Sequence, residues 1–128
     1  MPYYDYEQFK QACESQQDNV IPWGSVKRDA KDIFKLYTEE ELLNFIANGG
    51  LEELKFVNTK EWEKNPNKSN KIEVDAYEFK TLGIRGYIAF MFNKITQKWI
   101  IKSFHMSDQS NDTMKKAFKI AFKGNRED

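Results

Sequence analysis

The stretch RGYIAFMFN, Arg85–Asn93, constrains the fold more than any other. In an extended strand Ile88, Phe90 and Phe92 fall on one face, and Tyr87, Ala89 and Met91 fall on the other. A strand apolar on both faces is either covered on both sides or central in a curled sheet. NKITQK follows as a hairpin connection of moderate length, and KWIIKSFHM is the strand it leads to. Strict alternation there sets Trp99, Ile101, Ser103 and His105 on one face, with Ile100, Lys102, Phe104 and Met106 on the other.

Upstream, the periodicity is helical. Tyr6, Phe9 and Cys13 suit a first helix over residues 4–16, which Pro22 and Gly24 interrupt. Val26, Ala30, Ile33 and Tyr37 form a second amphipathic stripe, with Ser25 as its cap. Thr38 and Glu41 make a capping box for a third helix that buries Leu42, Phe45 and Ile46 and stops at Asn48-Gly49-Gly50. LEELKFVN reads as a short strand or a ragged turn of helix, and TKEWEKNPNKSNK as a loop anchored by Trp62. IEVDAYEF alternates through Ile72, Val74 and Ala76, then shifts phase to Tyr77 or Phe79, marking either a bulge or imperfect patterning. Met114, Ala117, Phe118, Ala121 and Phe122 define a last helix whose polar side carries Lys115, Lys116, Lys119 and Lys123.

These patterns predict an α+β chain of one domain, 1–128. Residues 1–50 form a helical N-terminal part, 51–106 a curled antiparallel sheet, and 110–124 a C-terminal amphipathic helix. Ten phenylalanines among 128 residues suffice for a packed interior. A single cysteine makes no internal disulfide and suits a reducing compartment, so the expected location is cytoplasmic. No run approaches 18 apolar residues and MPYYDYEQFK lacks the pattern of a signal peptide, so no membrane partner is expected.

The net charge is zero but unevenly spread. Between Phe79 and Arg126 ten Lys/Arg face two acids, whereas Met1–Asn70 holds thirteen acids and nine bases. A basic face turned to a polyanion and simple solvation of the last helix are both consistent with this.

No phosphate loop, HExxH, GxSxG or zinc-ligand spacing occurs, and no cofactor or metal is implied. What remains is polar chemistry on a phosphodiester. It needs a proton acceptor, a proton donor and cations for the charge developing on phosphorus. His105, the only histidine, fits either proton role, and Arg85 offers a planar fork to phosphate oxygens. If the two strands around NKITQK pair, Arg85 and His105 fall near one end of the sheet. Lys102, Ser107, Gln109 and Lys115 are candidate RNA contacts, and Tyr87 is a candidate stacking group. The alternatives are ordinary: His105 as a polar group where strand meets turn, Arg85 as a surface charge, Ser107 as a turn residue, Tyr87 as part of the core.

The motifs Tyr77-Glu78-Phe79-Lys80, Arg85 with Tyr87, Ile100-Ile101-Lys102-Ser103-Phe104-His105, and Met114 through Ala121 resemble the C-terminal core of the RelE/ParE superfamily, nearest its phage-derived Gp49-like and HigB-like branch. The resemblance covers about the last 50 residues. It implies a RelE-like fold and a toxin of a type II toxin–antitoxin pair, acting as a metal-independent mRNA endoribonuclease. The implied partners are a cognate antitoxin and mRNA, with the ribosome left open. The catalytic candidates it carries over are Lys80, Arg85 and His105. The other reading is a non-enzymatic toxin or mobile-element protein that binds a protein target such as gyrase. The longer, more acidic N-terminal half departs from the family pattern.

Overall fold

The computed structural model describes residues 1–107. At the centre of the sheet lies β4 (Ile84–Asn93), flanked antiparallel by β3 (Glu73–Thr81) and β5 (Lys98–Met106). Beyond β3 comes β2 (Glu52–Glu61), also antiparallel. Beyond β5 comes a three-residue strand, β1 (Val20–Pro22), so the order is β1-β5-β4-β3-β2. The central place of β4 agrees with its two apolar faces.

The expected curled, wholly antiparallel sheet is corrected on two points. β1 runs parallel to β5, with Val20, Ile21 and Pro22 opposite Trp99, Ile100 and Ile101, so the sheet is mixed. Among the described residues it is also open, ending at β1 and β2 rather than curling closed. The physical reason is the short VIP segment inside the helical part, too brief to announce itself by alternation. Pro22 lacks an amide proton, which an edge position tolerates. The expected C-terminal helix, 110–124, lies outside the described residues.

Three helices cover one face of the sheet. Helix α1 (Tyr6–Ser15) starts where Asp5 accepts from the Glu7 amide, and it buries Phe9, Ala12 and Cys13. Helix α2 (Val26–Phe34) buries Val26, Ala30 and Phe34, while Tyr37 falls beyond its end and is exposed. Ser25 sits at its N-cap, but the hydroxyl donates to Asp29 instead of capping the backbone. Helix α3 (Glu39–Ala47) keeps half of the expected capping box. Thr38 Oγ1 accepts from the Glu41 amide at 3.0 Å, but the Glu41 carboxylate reaches past Thr38 to the Tyr37 amide at 2.6 Å.

Against these helices the sheet presents Tyr77, Phe79, Ile88, Phe90, Trp99, Ile101 and Phe104. Phe9 lies flat on Phe90 with ring centroids 4.0 Å apart and planes 2° from parallel. Each such ring pair stabilises by roughly 0.5–1.5 kcal/mol beyond its buried area. The opposite face holds a second cluster: Trp62, Ile72, Val74, Ala76, Ala89, Met91 and Ile100. β3 is therefore regular through the expected phase shift, because both of its faces are buried.

The irregularities sit in the neighbouring strands. β2 breaks register between Phe56 and Asn58, and β5 breaks it opposite Ala89 and Phe90. In β5, Phe90 pairs with Ile101 and Ala89 pairs with Ser103, so Lys102 is an extra, bulged residue. Alternation reverses there. Phe104 enters the helix-covered core, whereas Ser103 and His105 turn to the other face, contrary to the strict alternation expected from KWIIKSFHM.

Candidate functional site

The face of the sheet opposite the three helices can be followed row by row from the hairpin end. Thr81 and Ile84 close the β3–β4 hairpin around Leu82 (φ 50°) and Gly83 (φ 79°), two positive values that define a tight two-residue turn. The first cross-strand pair on this face is Lys80 and Arg85. The second row is Glu78, Tyr87 and His105, across three strands. The third is Ala76, Ala89 and Ser103, with Asn58 of β2 beside Ala76.

The second row is held by specific contacts. His105 and Tyr87 stack with ring centroids 5.1 Å apart and planes 18° from parallel. His105 Nδ1 lies 2.7 Å from the Met106 carbonyl oxygen. A carbonyl only accepts, so Nδ1 carries the proton and Nε2 is left to exchange one. Glu78 is buried, yet its Oε2 accepts from Ser107 Oγ at 2.7 Å and its Oε1 lies 3.6 Å from an Arg85 terminal nitrogen. The Ser107 amide also donates to the Arg85 carbonyl at 3.0 Å, tying the end of β5 to the start of β4. Burial pushes the Tyr87 phenol above its ordinary pKa, and the Glu78 charge pushes the same way.

Arg85 and His105 thus share one face. They are diagonal neighbours on adjacent strands, a relation that sets backbones roughly 7–8 Å apart. Lys80 sits beside Arg85 but at the exposed margin, with Nζ 3.8 Å from Glu53. Lys102 lines a hollow over the third row, on the far side of Tyr87 from Arg85. Ser107 is buried against Glu78 and serves as a tether. Gln109 and Lys115 lie outside the described residues.

The hollow has a volume of about 300 Å³. Its floor is Val74, Ala76 and Ala89, and Asn58, Lys60, Lys64 and Lys102 stand around it with Glu61, Glu63 and Tyr87. The depression has a simple origin: Ala76 pairs with Ala89, so the third row is low between larger neighbours.

Sequence reasoning passes over Glu78, Asn58, Lys60 and Lys64. Glu78 carries a legible signal, a carboxylate between Tyr77 and Phe79 in a strand with two apolar faces. Asn58 and Lys60 carry none, because the β2 break decides which way they turn. Asp75, the other buried carboxylate of β3, is fully buried on the helix side. It accepts from the Tyr3 and Tyr4 amides, at 3.0 and 2.8 Å, and from the Thr59 hydroxyl.

Among the described residues no group of three or more His, Cys, Asp or Glu is gathered as a metal site requires. Nor, among them, is any helix long and apolar enough to cross a membrane. No family model matches the chain, and neither a curated protein nor a solved structure matches it.

Proposed function

We propose that the protein is a metal-independent endoribonuclease of toxin type, cleaving mRNA and restrained by a cognate antitoxin. The observation that carries this reading is the bulge at Lys102, which turns His105 out of the core and onto the face of Tyr87 and Arg85. A histidine held by Nδ1, with a stacked aromatic beside it and a guanidinium diagonal to it, supplies one proton-transfer group and one cation for transesterification of RNA. The resemblance of Tyr77–Lys80, Arg85 and Ile100–His105 to ribonuclease toxins supports the same reading.

In the reaction the ribose 2′-oxygen attacks phosphorus, the bond from phosphorus to the 5′-oxygen breaks, and a 2′,3′-cyclic phosphate and a 5′-hydroxyl result. The proton leaves the 2′-hydroxyl and another reaches the departing 5′-oxygen. His105 Nε2 serves one of these transfers. Arg85 balances the charge on the phosphoryl oxygens, and Glu78 holds its guanidinium in position. Lys80 adds positive charge at the margin or serves the second transfer.

The test is induced expression of the wild type, His105→Ala and Arg85→Ala, with growth followed and transcript ends mapped. Growth arrest with new 5′-hydroxyl ends is expected from the wild type. Loss of an acid–base group is expected to reduce cleavage about 10²–10⁴-fold. Purified protein is expected to cut RNA in the presence of EDTA. Arrest without cuts, unchanged in both variants, would replace the enzyme by a protein-binding toxin of the gyrase-directed kind.

A further inference from the structure

We propose that the hollow over Ala76 and Ala89 is a subsite for one nucleotide of single-stranded RNA, adjoining the bond to be cut. The proposal deepens the endoribonuclease reading and rests on it for the identity of the polymer. Three independent features of the hollow point to this ligand class. Its floor is apolar and low, made by Val74, Ala76 and Ala89, which suits the flat face of a base. Its wall includes Tyr87, the residue whose other neighbour is His105, so an occupant lies next to the proton-transfer group. Its rim carries Lys60, Lys64 and Lys102 against Glu61 and Glu63, an excess of one positive charge.

Size and polarity narrow the choice. About 300 Å³ lies at the bottom of the range of roughly 300–1,000 Å³ typical of small-molecule sites. That is room for a single nucleotide and too little for an extended polymer to lie within. A bare phosphate gains nothing from two alanines and a valine, and an apolar ligand gains nothing from three lysines. A nucleotide uses both, and Asn58 offers an amide with donors and an acceptor to a base edge.

Lys102 gives the arrangement its logic. It is the bulged residue, the one position of β5 that pairs with nothing on β4. The same irregularity that turns His105 outward therefore also supplies a cation to the hollow. The catalytic group and one cation of the subsite thus share a register break, while Asn58 and Lys60 owe their place to β2.

The experiment is calorimetric titration of the intact protein with each of the four nucleoside 5′-monophosphates, the corresponding nucleosides, and inorganic phosphate. At least one monophosphate is expected to bind saturably and more tightly than either its nucleoside or phosphate. Lys64→Ala, an exposed loop substitution, is expected to weaken that binding about tenfold, the effect of losing one charge-assisted contact. Ala89→Leu, which fills the floor, is expected to abolish it, with circular dichroism confirming that the variant folds. If Ala89→Leu unfolds, Asn58→Ala replaces it.

Two results would overturn the subsite: phosphate binding as tightly as any nucleotide, or nucleotide binding indifferent to both the lysine and the floor variants. The outcome separates from that of the nuclease reading. Transcript cleavage lost in His105→Ala without nucleotide binding removes the subsite and leaves the enzyme. Nucleotide binding sensitive to Lys64 and Ala89, without any cleavage, leaves the subsite on a nucleotide-binding protein.

Discussion

Asp75 is a fully buried carboxylate whose partners are two backbone amides and a hydroxyl, with the chain's third and fourth residues supplying the amides. The arrangement straps the N-terminal segment to β3 and positions Tyr4, whose hydroxyl donates to the Glu73 carbonyl at 2.7 Å. Replacing the carboxylate by an amide leaves one oxygen for three donors and turns an NH₂ toward N–H groups. Asp75→Asn is therefore expected to lower stability by about 1.5–3 kcal/mol, the usual range for hydrogen bonds to a charged group, measured by urea unfolding. A change of 0.5 kcal/mol or less, within about the range for neutral surface substitutions, would show that the strap does not hold the segment.

Among the elements, β5 joins structure to chemistry through one extra residue. Lys102 faces no residue of β4, so deleting it leaves Ile101 opposite Phe90 and Ser103 opposite Ala89, now in regular alternation. The deletion is expected to fold with a loss of no more than about 1–2 kcal/mol, since both apolar clusters keep their members. His105 stays beside Tyr87, while the hollow loses a cation and nucleotide binding falls. Complete unfolding of the deletion would mean that the bulge is structural. This is also where the sequence stops being readable. Helices α1 to α3 and strand β4 follow from periodicity, and the start of α3 from its Thr38 cap, because burial there keeps a regular beat; Ser25 does not cap α2, and the two buried faces of β3 read as a phase shift. The face of His105 does not, since a single inserted residue inverts alternation without leaving a compositional mark. Strand β1 is illegible for a different reason, as three residues establish no period. Of the site, Arg85, His105 and Tyr87 were legible as residue types near one end of a hairpin. Their common face depended on the bulge, and the hollow depended on the β2 break as well.

Taken as a whole, the protein raises four of its six tyrosines and its single cysteine above their ordinary pKa by burial. Burial pushes the Tyr4 phenol up to about 12 and the Cys13 thiol up to about 12. Tyr6, Tyr77 and Tyr87 are raised from the same principal cause. The unfolded chain releases these protons at ordinary values of about 8.5 for the thiol and 10 for the phenols. Above that range the folded state binds more protons than the unfolded one, so stability falls as pH rises. The contribution is intact below about pH 8.5 and is lost progressively toward pH 12. A thermal midpoint that drops steadily above about pH 9, with the tyrosinate absorbance of Tyr4, Tyr6, Tyr77 and Tyr87 appearing together with loss of secondary structure, is the expected result. Tyrosinate absorbance well before unfolding that exceeds the share of the two exposed rings, Tyr3 and Tyr37, would show that the buried rings are open to water.

The pairing of β1 with β5 has a consequence for how the protein comes into being. Val20–Pro22 is synthesised well before Lys98–Met106, its neighbour in the sheet among the described residues, with residues 23–97 made in between. Until then the helices lack the Trp99, Ile101 and Phe104 part of their floor, and β1 has no seat. A product cut short before Lys98 has neither His105 nor a docking line for β1, so the seat of β1 and the reactive face are completed by the same stretch of chain.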